Sequence, residues 1–371
     1  MLWEQYRDQF PVTKNLIYLN HAAVAPLCRK AAEAMQGLAQ DALCFGSLHY
    51  GDWMATYAGV RSAAAKMINA KPEEIAIAKN TSEGIATVAA GISWKQGDVV
   101  VAFEEEFPAN FFPWKKLEAA GVEVRWLSVF DGLERINEAT RGARLLAISF
   151  VNYLNGYRVN LCEIGEICAR HNCLFLVDAI QGLGAFPIDV EAAKIDALAA
   201  DAHKWLLGPE GCALLYVRQD KQEQIKPTQT GWTNYAHHAD YSSRDMTLRA
   251  DAGRYESGTL NTIGCYGLRA SLDFLLDVGV ENIRPAVQAL GDQLWEGAQQ
   301  IGFECAGLRS PATGAGVVSV RKPGVDSHLL VRKLKDRGII AAPRQGWVRF
   351  SPHFYISPED IRKVLSEIQN F

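Results

Sequence analysis

Leu174-Phe175-Leu176-Val177-Asp178-Ala179-Ile180-Gln181 is an apolar run closed by a carboxylate. With no polar residue alternating through it, the run describes a strand covered on both faces, the habit of parallel sheets. An acid at the carboxyl end of such a strand stands where open α/β sheets bind ligands. A turn or a helix cap is the plainer use of an aspartate there. Outward from this point, similar runs recur at Val99–Phe103, Val122–Leu127, Leu145–Phe150, Ala197–Ala200 and Leu214–Val217, with helical stretches between them. The segment Leu161–His171 keeps helical spacing through Leu161, Ile164, Ile167 and Cys168, and is predicted to cross over between two strands. This rhythm predicts an α/β domain around a mostly parallel central sheet.

From about Asn261 the pattern changes to long helical stretches, Ile263–Leu276 and Ile283–Ile301. Shorter signals follow at Gly316–Val320, Ser327–Arg337, Trp347–Phe350 and Pro358–Ile368. The expected organisation is a large domain over residues 21–260, a smaller α+β domain over 261–371, and an N-terminal segment, 1–20, packed on the small domain. No Gly/Ser-rich linker separates the two domains, so they are expected to pack tightly.

The chain has 371 residues, 49% apolar and 22% charged, ordinary values for a globular protein with a large core. Its 38 Lys and Arg against 42 Asp and Glu leave a net charge of -4, which gives no general attraction for nucleic acid or an anionic membrane. No apolar run approaches the ~18 residues that span a bilayer, and the first residues carry Glu4, Asp8 and Lys14 where a signal peptide is apolar. A cytoplasmic location is expected. The eight cysteines include no C-x-x-C pair, so no zinc knuckle or thioredoxin-type site is written, and no metal is called for. A dinucleotide-binding reading fails for want of G-x-G-x-x-G.

A second strand-end motif is Asp201-Ala202-His203-Lys204-Trp205-Leu206-Leu207-Gly208-Pro209-Glu210-Gly211. A lysine leaving a strand into a Gly-Pro-x-Gly turn can be held partly desolvated, which lowers its pKa and suits it to Schiff-base formation; an exposed loop lysine is the plainer alternative. Upstream, Asn80-Thr81-Ser82-Glu83-Gly84 opens a helical run, with Asn80 and Glu83 spaced as a capping box. Hydroxyls at Thr81 and Ser82 on a helix start, beside free N–H groups and the positive dipole end, make a candidate phosphate cradle.

Together these segments resemble the class V aminotransferases, pyridoxal-phosphate enzymes of fold type I that also include cysteine desulfurases, kynureninases and isopenicillin N epimerases. The likeness runs from Tyr18-Leu19-Asn20-His21-Ala22-Ala23 to the last helix. It implies that Lys204 binds the cofactor aldehyde and then serves as general base, and that Asp178 keeps the pyridine nitrogen protonated so that the ring can act as an electron sink. It also places Gln181 beside the ring hydroxyl and His203 with Thr81 and Ser82 at the phosphate. Arg254-Tyr255-Glu256-Ser257-Gly258-Thr259 resembles the segment whose threonine reaches the neighbouring subunit's cofactor, so Thr259 implies a homodimer with shared active sites. Trp347-Val348-Arg349-Phe350-Ser351-Pro352-His353 resembles the strand whose arginine grips a substrate α-carboxylate, giving Arg349, with Asn20 and His21 as further substrate contacts. Phe107 stands where desulfurases place a histidine on the ring face, and Tyr153 where they have asparagine; both are expected to face the ring.

The function this implies is chemistry at the α-carbon of a small-molecule amino acid. An aminotransferase is the first expectation, and an epimerase or C–S lyase on the same scaffold is the alternative. A non-catalytic binding module is a competitor of another class, against which the intact Asp178, His203, Lys204 and Arg349 set argues. A persulfide-forming desulfurase is not expected: those enzymes carry a cysteine just before the carboxylate-binding arginine, whereas Gly338-Ile339-Ile340-Ala341-Ala342-Pro343-Arg344-Gln345-Gly346 has none.

Overall fold

The computed structural model describes residues 1–371. Its strands, in chain order, are β1 (Ile17–Tyr18), β2 (Ile75–Ala78), β3 (Val99–Phe103), β4 (Glu123–Leu127), β5 (Leu145–Ser149), β6 (Leu174–Asp178) and β7 (Ala197–Asp201). There follow β8 (Ala213–Val217), β9 (Glu304–Cys305), β10 (Val318–Arg321), β11 (Ile339–Ile340), β12 (Ala342–Arg344) and β13 (Trp347–Phe350). A seven-stranded sheet has the order β2-β8-β7-β6-β5-β3-β4. Its pairs from β7 through β4 are parallel, and β8 alone runs against its two neighbours. The expected α/β architecture with a mostly parallel central sheet is what the chain forms.

The strands read as unbroken apolar runs because the sheet is buried on both sides. Along β6, Phe175 and Val177 join one apolar core while Leu174 and Leu176 join another. The same alternation divides β7, where Leu198 and Ala200 face one core and Ala197 and Ala199 the other. One core of 79 buried residues continues into the C-terminal part, so the two parts share their interior. The second core, of 19 residues, lies beneath the helix Thr81–Gly91.

By the same alternation Ser149, Asp178 and Asp201, last residues of β5, β6 and β7, fall on the face that this helix covers. The helix lies close because Gly84 has no side chain: a Cβ there would stand 2.9 Å from the Cβ of Ala199. Its N-terminus is fixed by Asn80, whose Oδ1 accepts from the Glu83 N–H at 2.9 Å, while the Glu83 carboxylate reaches the Lys79 N–H at 2.6 Å. The predicted capping box is therefore displaced by one residue on its return bond.

The C-terminal part carries the antiparallel sheet β12-β13-β10-β9. Its helix Thr262–Val278 packs on Arg29–Phe45 and Tyr50–Ile68, two helices that the sequence rhythm did not reveal. Residues 17–20 run beside this sheet: β1 pairs in parallel with β11, and Asn20 bridges Ser351. His21 locks the pairing from within. It is fully buried, with Nδ1 2.7 Å from the Ser351 carbonyl and Nε2 2.6 Å from the Tyr355 hydroxyl.

Burial lowers the His21 pKa from 6.5 to about 4, so its protonation opposes folding. A group with a depressed folded pKa of this kind contributes stability above pH 6.5 that is lost as the pH falls toward 4. Urea midpoints measured at pH 7 and pH 5 should show the native protein losing about 2 kcal/mol more than a His21→Gln variant over that interval. Equal losses in the two proteins would remove His21 as the acid-sensitive clasp.

Candidate active site

The side chains singled out in the sequence converge at the carboxyl ends of β5, β6 and β7, together with β13. Lys204 leaves β7 in a tight turn in which the Leu207 N–H bonds to the Lys204 carbonyl at 3.1 Å and the Gly208 N–H to the Ala202 carbonyl at 2.9 Å. Leu207 takes φ +58 to close it. A left-handed leucine is strained, and such strain persists only where the surroundings over-determine the loop. The turn turns the Lys204 amine inward, where burial lowers its pKa from 10.5 to about 8 against the opposing pull of Asp178. Arg349 and Arg344 push the same way as burial.

Asp178 is 3% exposed and accepts one bond, from the Ile180 N–H to Oδ1 at 3.1 Å. Burial raises its carboxyl from 3.8 to about 6, and the Ile180 N–H and Lys204 restrain the rise. A buried acid this poorly satisfied calls for a cationic partner. At the other end of the cleft, the Thr81 hydroxyl accepts from the Asp201 N–H at 2.9 Å, which ties the helix start to the end of β7. Ser82 beside it is exposed, with its hydroxyl free. His203 Nδ1 lies 2.9 Å from Asp201 Oδ1 at an angle that makes no hydrogen bond, so both atoms stay unsatisfied although buried.

Two aromatic rings border the amine. The Phe107 ring centre lies 5.7 Å from Lys204 Nζ and 5.3 Å from the Tyr153 ring centre, at 75° to that ring. Phe107 is 45% exposed, which leaves a ring face open for stacking. Tyr153 is presented by an Asx turn: Asn152 Oδ1 accepts from the Leu154 and Asn155 N–H groups at 2.9 and 3.1 Å. Its hydroxyl accepts from Gln345 Nε2 at 2.8 Å.

Arg349 is 2% exposed and gives Nη1 to the Tyr153 carbonyl at 2.8 Å, while its Nε has no partner. Burial and Arg344 lower its pKa to about 9. Opposite Ala342 in the β12–β13 pairing, Arg349 shares a face with Arg344, two residues along. Arg344, Gln345 and Glu106 are members of the site that the sequence reading missed. The residue before Phe107, Glu106, accepts from the Ser149 N–H at 2.6 Å and from the Ser149 hydroxyl, beside Asp178. Desolvation raises its carboxyl to about 8, and Asp178 adds to the rise. Only its adjacency to Phe107 could have drawn attention to it.

The other expected site residues differ in exposure and in bonding. His21 is sealed in the core with both ring nitrogens engaged, so it holds the chain rather than a substrate. Gln181 is buried and spends its amide on the Ala22 carbonyl and on Trp205 Nε1, both at 3.0 Å. Thr259 lies exposed, on a segment fixed by Glu256, which takes Arg61 Nη2 at 2.6 Å and the Ile77 N–H at 2.8 Å. Asn20 Oδ1 is buried without a partner.

A buried anion, a softened amine, an open aromatic face and, bonded to the end of β7, a helix start with a free hydroxyl stand at neighbouring strand ends. The set fits a phosphorylated pyridine aldehyde: Asp178 could take its ring N–H, Lys204 its aldehyde, Phe107 its face, and Thr81, Ser82 and His203 its phosphate.

The sequence model of the family described as "Aminotransferase class-V" matches residues 17–362. An uncharacterized aminotransferase of Bacillus subtilis, YcbU, is 29% identical over 98% of this chain and 97% of its own length. A probable cysteine desulfurase of Methanothermobacter thermautotrophicus is 30% identical over 98% and 96%. Among solved structures, the apo cysteine desulfurase of Thermococcus onnurineus superposes with a TM-score of 0.91 at 26% identity, covering 99% of this chain and 97% of that one. The cystine C–S lyase C-DES, in complex with its product cysteine persulfide, gives 0.91 at 25% identity, covering 98% and 100%; a mutant of that lyase holds glycine covalently linked to its pyridoxal-phosphate cofactor. The likeness spans the chain from β1 to the last helix and includes the ends of the strands where the cleft forms: this protein belongs to the class V aminotransferase family and is a pyridoxal-phosphate-dependent enzyme.

Proposed function

We propose that the protein is a C–S lyase that removes the α-proton of a sulfur-bearing amino acid and releases the sulfur from its β-carbon as a small molecule. The observation that carries this reading is the pairing of a buried, softened Lys204 amine with a cleft that has no thiol before Arg349. The cysteines lie elsewhere: Cys212 and Cys265, for example, are buried with their sulfurs 3.9 Å apart. Likeness to the cystine C–S lyase supports it.

When bound, the cofactor supplies an aldehyde for the substrate amine and a protonated ring that accepts the charge left at the α-carbon. The protein does the rest. Arg349 has Nε free for the α-carboxylate while Nη1 stays on Tyr153, so the carboxylate is fixed from one edge of the guanidinium. Lys204, with a pKa of about 8, is poised to take the α-proton near neutral pH and to return it to the departing sulfur. Asp178 holds the proton on the ring nitrogen. Phe107 packs on the ring and exchanges no proton, and Tyr153 with Gln345 narrows the entrance. Thr259, exposed on its braced segment, is assigned to the cofactor phosphate of a second subunit in a homodimer with shared sites.

Transamination is the second reading, favoured by the aminotransferase from Bacillus, since Lys204 could also deliver its proton to the cofactor. Turnover of L-cysteine or L-cystine with pyruvate and sulfur species formed in the absence of any 2-oxo acid marks elimination. Turnover that requires a 2-oxo acid acceptor overturns the lyase assignment.

Borohydride reduction and peptide mapping should find the pyridoxyl group on Lys204, and Lys204→Ala should keep its fold but yield no borohydride-fixed pyridoxyl peptide; a label on another lysine would reject the assignment. Asp178→Asn should retain the cofactor and slow α-proton exchange on the order of a thousandfold, the scale of losing a preorganised charged contact. Unchanged exchange would return Asp178 to a structural role. Intact-mass measurement after incubation with L-cysteine should show no sulfur adduct on the protein, and a stoichiometric adduct would make it a persulfide carrier instead.

A further inference from the structure

Behind the loop that carries Tyr153, a groove of about 710 Å³ opens between the large domain and the C-terminal part. Ile136, Phe150, Val159 and Ile164 contribute to an apolar wall. The first turns of the helices Gly132–Thr140 and Leu161–Arg170 end on it, bringing two positive dipole ends to one rim. Arg158, from the Tyr153 loop, and Arg284, from the helix Val280–Gln300, enter from opposite sides.

Neither guanidinium is paired with a carboxylate. Arg158 leans on the Phe186 ring, 5.0 Å from its centre, and its Nε is buried with no partner. Burial, and then the charge of the nearby Arg284, lower its pKa; Arg158 is half-buried and Arg284 exposed. The acids at the rim do not answer them. Asp189 spends its oxygens on the Ala192 N–H at 2.8 Å and on Asn69 Nδ2 at 3.0 Å, and Glu163 is exposed in the first turn of its helix. An apolar wall beside a half-buried guanidinium with an unpartnered Nε, and a second, exposed guanidinium with no carboxylate partner, is complementary to an amphiphilic anion, and its size is that of small-ligand sites.

We propose that this groove binds a monocarboxylate with an apolar body, its carboxylate taken by Arg158 and Arg284 and its body laid on the wall formed by Phe150, Val159 and their neighbours. Because the Arg158 N–H bonds to the Thr313 carbonyl at 2.7 Å, a ligand here spans the seam that holds the Tyr153 loop to the C-terminal part. The site is separate from the chemistry at Lys204 and does not depend on which reaction runs there.

Cys162 is exposed on the groove and reports its occupancy, once the other exposed thiol is removed by Cys44→Ser. In the holoenzyme, decanoate should slow alkylation of Cys162 in a saturable manner, and decanol should protect at least about tenfold less well. Arg284→Gln, a change on an exposed helix surface, should weaken decanoate protection about tenfold, the scale of one charge-assisted bond. Arg158→Gln should do the same and Arg158→Lys should restore part of it. Equal protection by decanol would mean a merely apolar groove, and unchanged protection in both glutamine variants, or none in the starting protein, would refute the site.

Discussion

A carboxylate and an ammonium kept together away from water are the constraint on which the rest of the cleft depends. Asp178 and Lys204 stand at the ends of neighbouring strands β6 and β7, and burial works against the charge on each. Their mutual attraction offsets only part of that cost, which is why one pKa stands above its ordinary value and the other below. A ligand that brings a ring N–H to one and an aldehyde to the other relieves both. The parallel sheet makes this possible: strands that run the same way deliver their last residues to one edge.

Around that pair the protein spends its hydrogen bonds on placement. Thr81 is bound to Asp201, so the helix start and the end of β7 move as one piece. Ser149 gives its N–H and hydroxyl to Glu106, which fixes the residue before Phe107 against the end of β5. Asn152 folds its own loop and so orients Tyr153. The first two contacts join residues far apart in sequence and the third is local to its loop, and each restricts a polar or aromatic group before any ligand arrives.

Arg349 joins the two parts of the molecule. It sits on β13 in the four-stranded sheet, yet its bond to the Tyr153 carbonyl reaches the loop that follows β5 of the seven-stranded sheet. A buried guanidinium whose Nε has no partner is costly, and the cost is offset when a carboxylate arrives. Arg158, whose Nε is also buried without a partner, repeats the same logic on the far side of that loop, without any group of the Lys204 cleft.

The amino-acid sequence by itself determined the α/β class, the strands β3 to β8 of the central sheet but not β2, and the two strand-end motifs around Asp178 and Lys204. Those are local signals: unbroken apolar runs, helical spacing, a capping pattern, a Gly-Pro turn. It left unread the helices Arg29–Phe45 and Tyr50–Ile68, whose apolar positions acquire meaning only against the helix Thr262–Val278. Likewise, nothing near His21 in sequence says that Ser351 and Tyr355 will occupy both its nitrogens, and nothing near Glu106 says that Asp178 will stand beside it. Only tertiary structure decided which polar residues face the cleft and which are consumed holding it, because burial and hydrogen-bond partners come from chain segments tens to hundreds of residues apart.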